Sequence, residues 1–110
     1  MEITSREYKR AVVIRVTGRV DASVAKQFED TLDIHVKAGH ANLILEMDAT
    51  DYISSAGVRA MITAHKTLKP RGGAVIVAQP SERVKEVLHM AGMEAIFPIH
   101  ADTVSAVGSV

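Results

Sequence analysis

The stretch "NLILEMDATDYISSAGVRAM", residues 42–61, decides the fold. Its first part is short and apolar, with Leu43, Ile44, Leu45 and Met47 in a strand-length run. From Val58 onward the apolar spacing changes to three and four, through Met61, Ile62, His65 and Leu68. A strand that hands over to an amphipathic helix is the unit from which parallel sheets are built. In open sheets of that kind, ligands and reactive groups lie beyond the carboxyl ends of the strands. Ser54 and Ser55 therefore stand where a site is expected, with the helix beginning near Ser54.

The pattern extends in both directions. Residues 2–8, "EITSREY", and 11–18, "AVVIRVTG", read as two strands joined as a hairpin through Lys9 and Arg10, without the usual Asn-Gly turn chemistry. "VVIRV" is nearly continuous in β-branched residues and predicts a strand covered on both faces or nearly so. Gly18 ends that strand, and Asp21 or Ser23 is placed to cap a helix over about 22–38. Its stripe is Val24, Phe28 and Leu32, continued by Ile34 or Val36, and Gly39 is its left-handed terminal residue.

Beyond the central unit, Pro70 and Gly72-Gly73 stop the helix, and "AVIVA", 74–78, is a buried strand. Pro80-Ser81 open a third helix with Val84, Val87, Leu88 and Ala91 inward and Gly92 past its end. "AIFPI", 95–99, is a last extended piece whose Pro98 suits the edge or end of a sheet. Asp102 caps a short helix, "TVSAVG". The order β-β-α-β-α-β-α-β-α predicts one α/β domain over 1–110. It has a four- to five-stranded mixed sheet, an N-terminal β-hairpin and about four helices.

Composition narrows the function. The chain has 110 residues, 47% of them hydrophobic and 4% aromatic, so an aliphatic core is required. Thirteen basic residues balance thirteen acidic ones, which leaves no general field to draw nucleic acid or an anionic membrane. The absence of Cys removes disulfides, thiolate metal sites and Cys nucleophiles. The charged N-terminus has no apolar signal-peptide core, and no apolar run approaches the ~20 residues of a membrane helix. A cytoplasmic protein is expected, with neither nucleic acid nor membrane as partner.

The serine pair has two readings. In one, Ser54 and Ser55 cap the helix and fill space. In the other, one hydroxyl is a modification site. A helix start offers free N–H groups and the positive end of the dipole, so a phosphate there is tolerated. Ala56 and Gly57 keep the first turn bare for an approaching molecule. Residues 53–57, I-S-S-A-G, have Ile53 where a hydrolase elbow needs glycine, and no downstream Asp and His complete a triad. Asp21, Asp48 and Asp51 end strands and are expected to gather near Ser55, chiefly as caps and loop residues. The histidines show no metal-ligand spacing. His65 reads as a partly buried stripe residue and the other four as surface groups. "PRGG" is a turn, and Lys66, Lys69 and Arg71 are too few for a nucleic-acid surface. No metal and no cofactor is assigned.

These residues together resemble the STAS-domain family, the bacterial anti-sigma-factor antagonists. The carrying stretches are "VVIRVTGRVDASVAKQFE", "NLILEMDATDYISSAGVRAM" and "GGAVIVAQPSERVKEVLHMAGMEAIFPI", which span almost the whole chain. The family motif runs through Tyr52, Ile53, Ser54, Ser55, Ala56, Gly57 and Val58. The resemblance implies that Ser55 is the phosphorylated serine and that Asp21 is the acidic residue beside it. It implies a partner switch that is not an enzyme. The unphosphorylated form binds an anti-sigma factor serine kinase and frees the sigma factor, the kinase phosphorylates Ser55, and a PP2C-type phosphatase restores it. Asp51, Ser54, Ala56, Gly57, Val58 and Arg59 are then phosphosite surroundings and partner-binding residues. Two positions depart from the common pattern: Ser54 replaces an Asp, and Arg59 replaces a Gly. A non-switching STAS scaffold or transporter-associated subunit is the alternative, and a small nucleotide-binding domain a third reading.

Overall fold

The computed structural model describes residues 1–8 and 10–110. The connection expected at Lys9 and Arg10 includes Lys9, which lies outside the described residues. Strand β1 (Glu2–Tyr8) pairs antiparallel with β2 (Ala11–Val20), from Glu2 opposite Thr17 to Tyr8 opposite Ala11. Strand β3 (Asn42–Glu46) lies parallel to β2 on one side and to β5 (Ala74–Ala78) on the other. Strand β6 (Ile99–His100) closes that edge beside β5. The expected mixed α/β sheet with its hairpin edge is present, and β2 lies inside it between β1 and β3, with Val12, Val13, Ile14 and Val16 fully buried.

The sheet has six strands, where four to five were expected. The addition is β4 (Thr50–Ile53), which pairs parallel with the end of β2. Four residues are too few to show an alternating pattern, and this strand exists only because β2 runs on far enough to pair with it. The register of that pairing shifts at Gly18 and Arg19, and Gly18 takes φ +95°, a conformation open to glycine.

Helices α1 (Ala25–Lys37), α2 (Ser55–Leu68), α3 (Glu82–Met90) and α4 (Thr103–Gly108) complete the fold. The main core joins Phe28 and Leu32 of α1 to Met61 and Leu68 of α2 and to Leu88 of α3, against Ile14 and Leu45 of the sheet. On the opposite face α4 places Ala106 against Ile44, Ile76 and Val13. The caps follow the sequence at Ser54, Ser81 and Asp102, whose oxygens accept the amides of Gly57, Val84 and Ser105. They do not at α1. Its cap position is Val24, with no side-chain bond, and Asp21 instead accepts the Ser23 amide and hydroxyl, at 3.0 and 2.6 Å, ahead of the helix. Gly39 has the left-handed φ expected of it. Ala91 is exposed rather than inward, and "AIFPI" is extended only at its end, since Met93–Ala95 form a 3-10 turn. His35 and His40 are half-buried with rings 5.6 Å apart, not surface groups.

Candidate functional site

The site is built where β2 and β4 end side by side. Val20 lies opposite Ile53, and the Ser54 amide donates to the Val20 carbonyl at 2.8 Å. That register brings Asp21, the next residue on one chain segment, beside the serine pair on the other. Two hydroxyl bonds, the first buried and the second partly so, hold β4 in place. Thr50 Oγ1 donates to the Val16 carbonyl at 2.8 Å, and Ser81 Oγ donates to the Thr50 carbonyl at 2.6 Å. The second ties the start of α3 to the strand that leads into α2.

The two serines have different environments. Ser54 has extended backbone angles, and its Oγ accepts the Gly57 amide at 3.2 Å, which is the geometry of a helix cap. Ser55 is the first helical residue and is exposed. Its hydroxyl makes no hydrogen bond among the described residues. Ala56 is half-buried. Gly57 is buried, and the bareness expected of it serves the inside of the molecule. A Cβ there would come within 2.8 Å of Ile53 Cγ1 and 3.1 Å of Val20 Cγ1. Glycine at this position lets the first turn of α2 lie against the strand ends. Val58 is buried, and Arg59 is exposed one turn along from Ser55.

The carboxylates do not all gather. Asp21 is held ionised below the ordinary carboxylate range by the Ser23 hydroxyl, with the Ser23 amide and the Arg19 charge assisting. Asp51 is exposed on β4. Asp48 is engaged elsewhere. Arg15 grips it with both terminal nitrogens, at 2.8 and 3.3 Å, and the Gln79 amide donates to it at 3.0 Å. No group of three or more His, Asp or Glu able to hold a metal occurs among the described residues. No described helix is long and apolar enough to cross a membrane.

An open groove of about 540 Å³ runs between α2 and α3 from Ser55. Tyr52, Val58, Ile62, Val87 and Met90 line it, together with Arg59 and Ala91. Met90 is 79% exposed, a large apolar surface for one residue. The Arg19 and Arg83 guanidiniums lie 4.6 and 5.8 Å from the centre of the Tyr52 ring, near enough for cation–π attraction. Sequence reasoning missed Ile62, Val87, Met90, Arg19 and Arg83 as site residues, because only tertiary packing sets α3 beside α2. The one available signal was Met90 following the inward Val87-Leu88 pair.

A serine exposed at a helix start, an acidic neighbour on a paired strand end and an apolar groove thus lie together at one end of the sheet. The STAS domain profile matches residues 2–106, so the chain belongs to the STAS domain family. The anti-sigma-B factor antagonist of Listeria monocytogenes is 28% identical over 102 residues, covering 90% of this chain and 86% of that protein. The anti-sigma-F factor antagonist RsfA of Mycobacterium tuberculosis is 22% identical over 111 residues, covering 99% and 87%. Among solved structures, the anti-sigma factor antagonist SpoIIAA in its unphosphorylated form superposes with a TM-score of 0.85 at 21% identity, over 98% of this chain and 95% of that one.

Proposed function

We propose that this chain is an anti-sigma-factor antagonist that works as a binding protein, with Ser55 as its switch. The unphosphorylated form docks on an anti-sigma factor serine kinase and displaces the sigma factor. The kinase transfers the γ-phosphoryl group of ATP to Ser55 Oγ, the hydroxyl proton leaves and ADP is released. The phosphorylated form no longer binds, and a PP2C-type phosphatase hydrolyses the ester. The observation that carries this reading is the division of labour in the serine pair: Ser54 is occupied as a cap and Ser55 is exposed with a free hydroxyl. The anti-sigma factor antagonists among the sequence relatives support the antagonist role.

The physical basis is local. Ser55 is the first residue of α2, so a phosphate on it adds roughly −1.5 to −2 charges where the helix dipole tolerates them, and the fold is kept. The same dianion at the centre of a docking face must be desolvated for the partner to seat. A loss of about 3 kcal/mol weakens binding about a hundredfold. The test is phosphorylation of wild type, Ser54→Ala and Ser55→Ala by the cognate kinase, with the site located by mass spectrometry and kinase affinity measured in parallel. Phosphate is expected on wild type and Ser54→Ala only, and Ser55→Asp is expected to bind at least tenfold more weakly than wild type. Phosphate on Ser54 would overturn Ser55 as the acceptor, and full affinity for Ser55→Asp would sink the switch in favour of a non-switching scaffold.

A further inference from the structure

The exposed cations of α1 and α3 share a rule that α2 breaks. Lys26 pairs with Glu29 and Asp30, Lys37 with Asp33, Arg83 with Glu86, and Lys85 with Glu82. Each has its carboxylate three or four residues away on the same helix. Helix α2 reads SAGVRAMITAHKTL and contains no acidic residue. Arg59 is exposed on it, and no carboxylate pairs with it among the described residues. Four residues before Arg59, at the spacing and in the order of Asp33 and Lys37 on α1, stands Ser55, and both line the same groove. An acid placed four residues N-terminal to a base is the favourable order for a helical ion pair.

We propose that Arg59 is the internal counter-ion of a phosphate on Ser55, so that phosphorylation completes on α2 the ion pair that α1 and α3 already have. Unmodified, the exposed Arg59 guanidinium has no carboxylate partner among the described residues. Modified, it turns to the phosphate four residues back and donates to its oxygens. This inference rests on the reading of Ser55 as phosphoacceptor. The other charges near the site, Arg19 on β2, Arg83 on α3, Asp21 and Asp51, set a common background for the comparison below.

The test installs phosphoserine at position 55 of the full chain by genetic encoding, so that no kinase is needed. The second ionisation of the phosphate is followed by phosphorus NMR at low salt in the otherwise wild-type chain, in Arg59→Ala, in Arg59→Lys and in Lys66→Ala. A helical ion pair is expected to hold the wild-type midpoint about 0.2 to 0.4 pH units below that of Arg59→Ala. Arg59→Lys is expected to fall between them and Lys66→Ala to match wild type. The gap closes in about 1 M salt, where the Debye length is about 3 Å. The Arg59 Nε–H resonance is expected to titrate with the phosphate. Equal midpoints in wild type and Arg59→Ala, or a gap that survives high salt, would overturn the counter-ion role. A kinase that ignores Ser55 would sink the switching reading while leaving this titration as it stands.

Discussion

The Ser54 amide donates to the Val20 carbonyl at 2.8 Å, and this one bond sets the phase of helix α2. It fixes Ser54 outside the helix as its cap and Ser55 as the first residue within it. Two neighbouring residues of the same type thereby receive different work. Ser54→Ala removes the acceptor of the Gly57 amide and is expected to cost about 1 kcal/mol. Ser55→Ala removes an exposed hydroxyl and is expected to stay within about 0.5 kcal/mol of wild type. Urea unfolding of the two variants checks this, and equal losses would show that the cap is not where the structure has it.

Gly57→Ala tests why glycine follows the serines. The added Cβ meets Ile53 Cγ1 at 2.8 Å and Val20 Cγ1 at 3.1 Å, both within the core. Overpacking of this kind costs about 1–3 kcal/mol. The partner clash can be relieved by Ile53→Ala, which by itself leaves a cavity. The double variant is expected to be more stable than the sum of the two single losses predicts. Strict additivity in denaturant midpoints would place the role of Gly57 at the surface instead.

Much of this was legible in the sequence. The change of period between Leu45 and Val58, the caps Ser81 and Asp102 and the left-handed Gly39 are local signals, and the structure follows them. What failed depended on contacts between segments. Strand β4 pairs only with the extended end of β2. Asp48 lies next in sequence to the site loop, yet Arg15 from a neighbouring strand claims it. Gly57 read as bare surface because its inward neighbours, Val20 and Ile53, are not visible in the local pattern. The groove needs α3 laid beside α2, which no helix stripe specifies alone.

Glu46 makes folding acid-sensitive from the opposite face of the sheet. Its side chain is only 7% exposed, accepts from Arg15 at 2.9 Å and Arg6 at 3.3 Å, and accepts the Thr103 hydroxyl at 2.5 Å. Burial pushes its pKa up, but the Thr103, Arg15 and Arg6 bonds together outweigh burial and hold it below the ordinary carboxylate value. Asp48 is lowered too, by Arg15 first and Gln79 next. A depressed carboxylate stabilises the fold above its unfolded pKa, near 4, and that contribution is lost as pH falls further through the folded value. Glu46→Gln is expected to cost about 2 kcal/mol at pH 7. It is also expected to lose less stability than wild type between pH 7 and pH 3. Parallel losses over that range in urea midpoints would contradict the assignment.

His65 gives a second pH dependence, nearer neutrality. It is 7% exposed, its Nδ1 accepts the Val75 amide at 3.1 Å, and its ring meets Phe97 edge to face at 5.3 Å. An Nδ1 that accepts is unprotonated, so this packing requires the neutral ring. Burial lowers the His65 pKa, and the Lys69 charge lowers it further. His35 is lowered as well, by burial first and by His40. A histidine with a depressed folded pKa stabilises fully above about pH 6.5, the unfolded value, and the contribution fades as pH drops toward the folded value. Wild-type stability is therefore expected to fall on going from pH 7 to pH 5. His65→Leu leaves the Val75 amide without its acceptor and is expected to be less stable at pH 7, but with a shallower slope, the remainder being the share of His35. An undiminished slope in thermal melts of His65→Leu would mean that His65 does not titrate with folding.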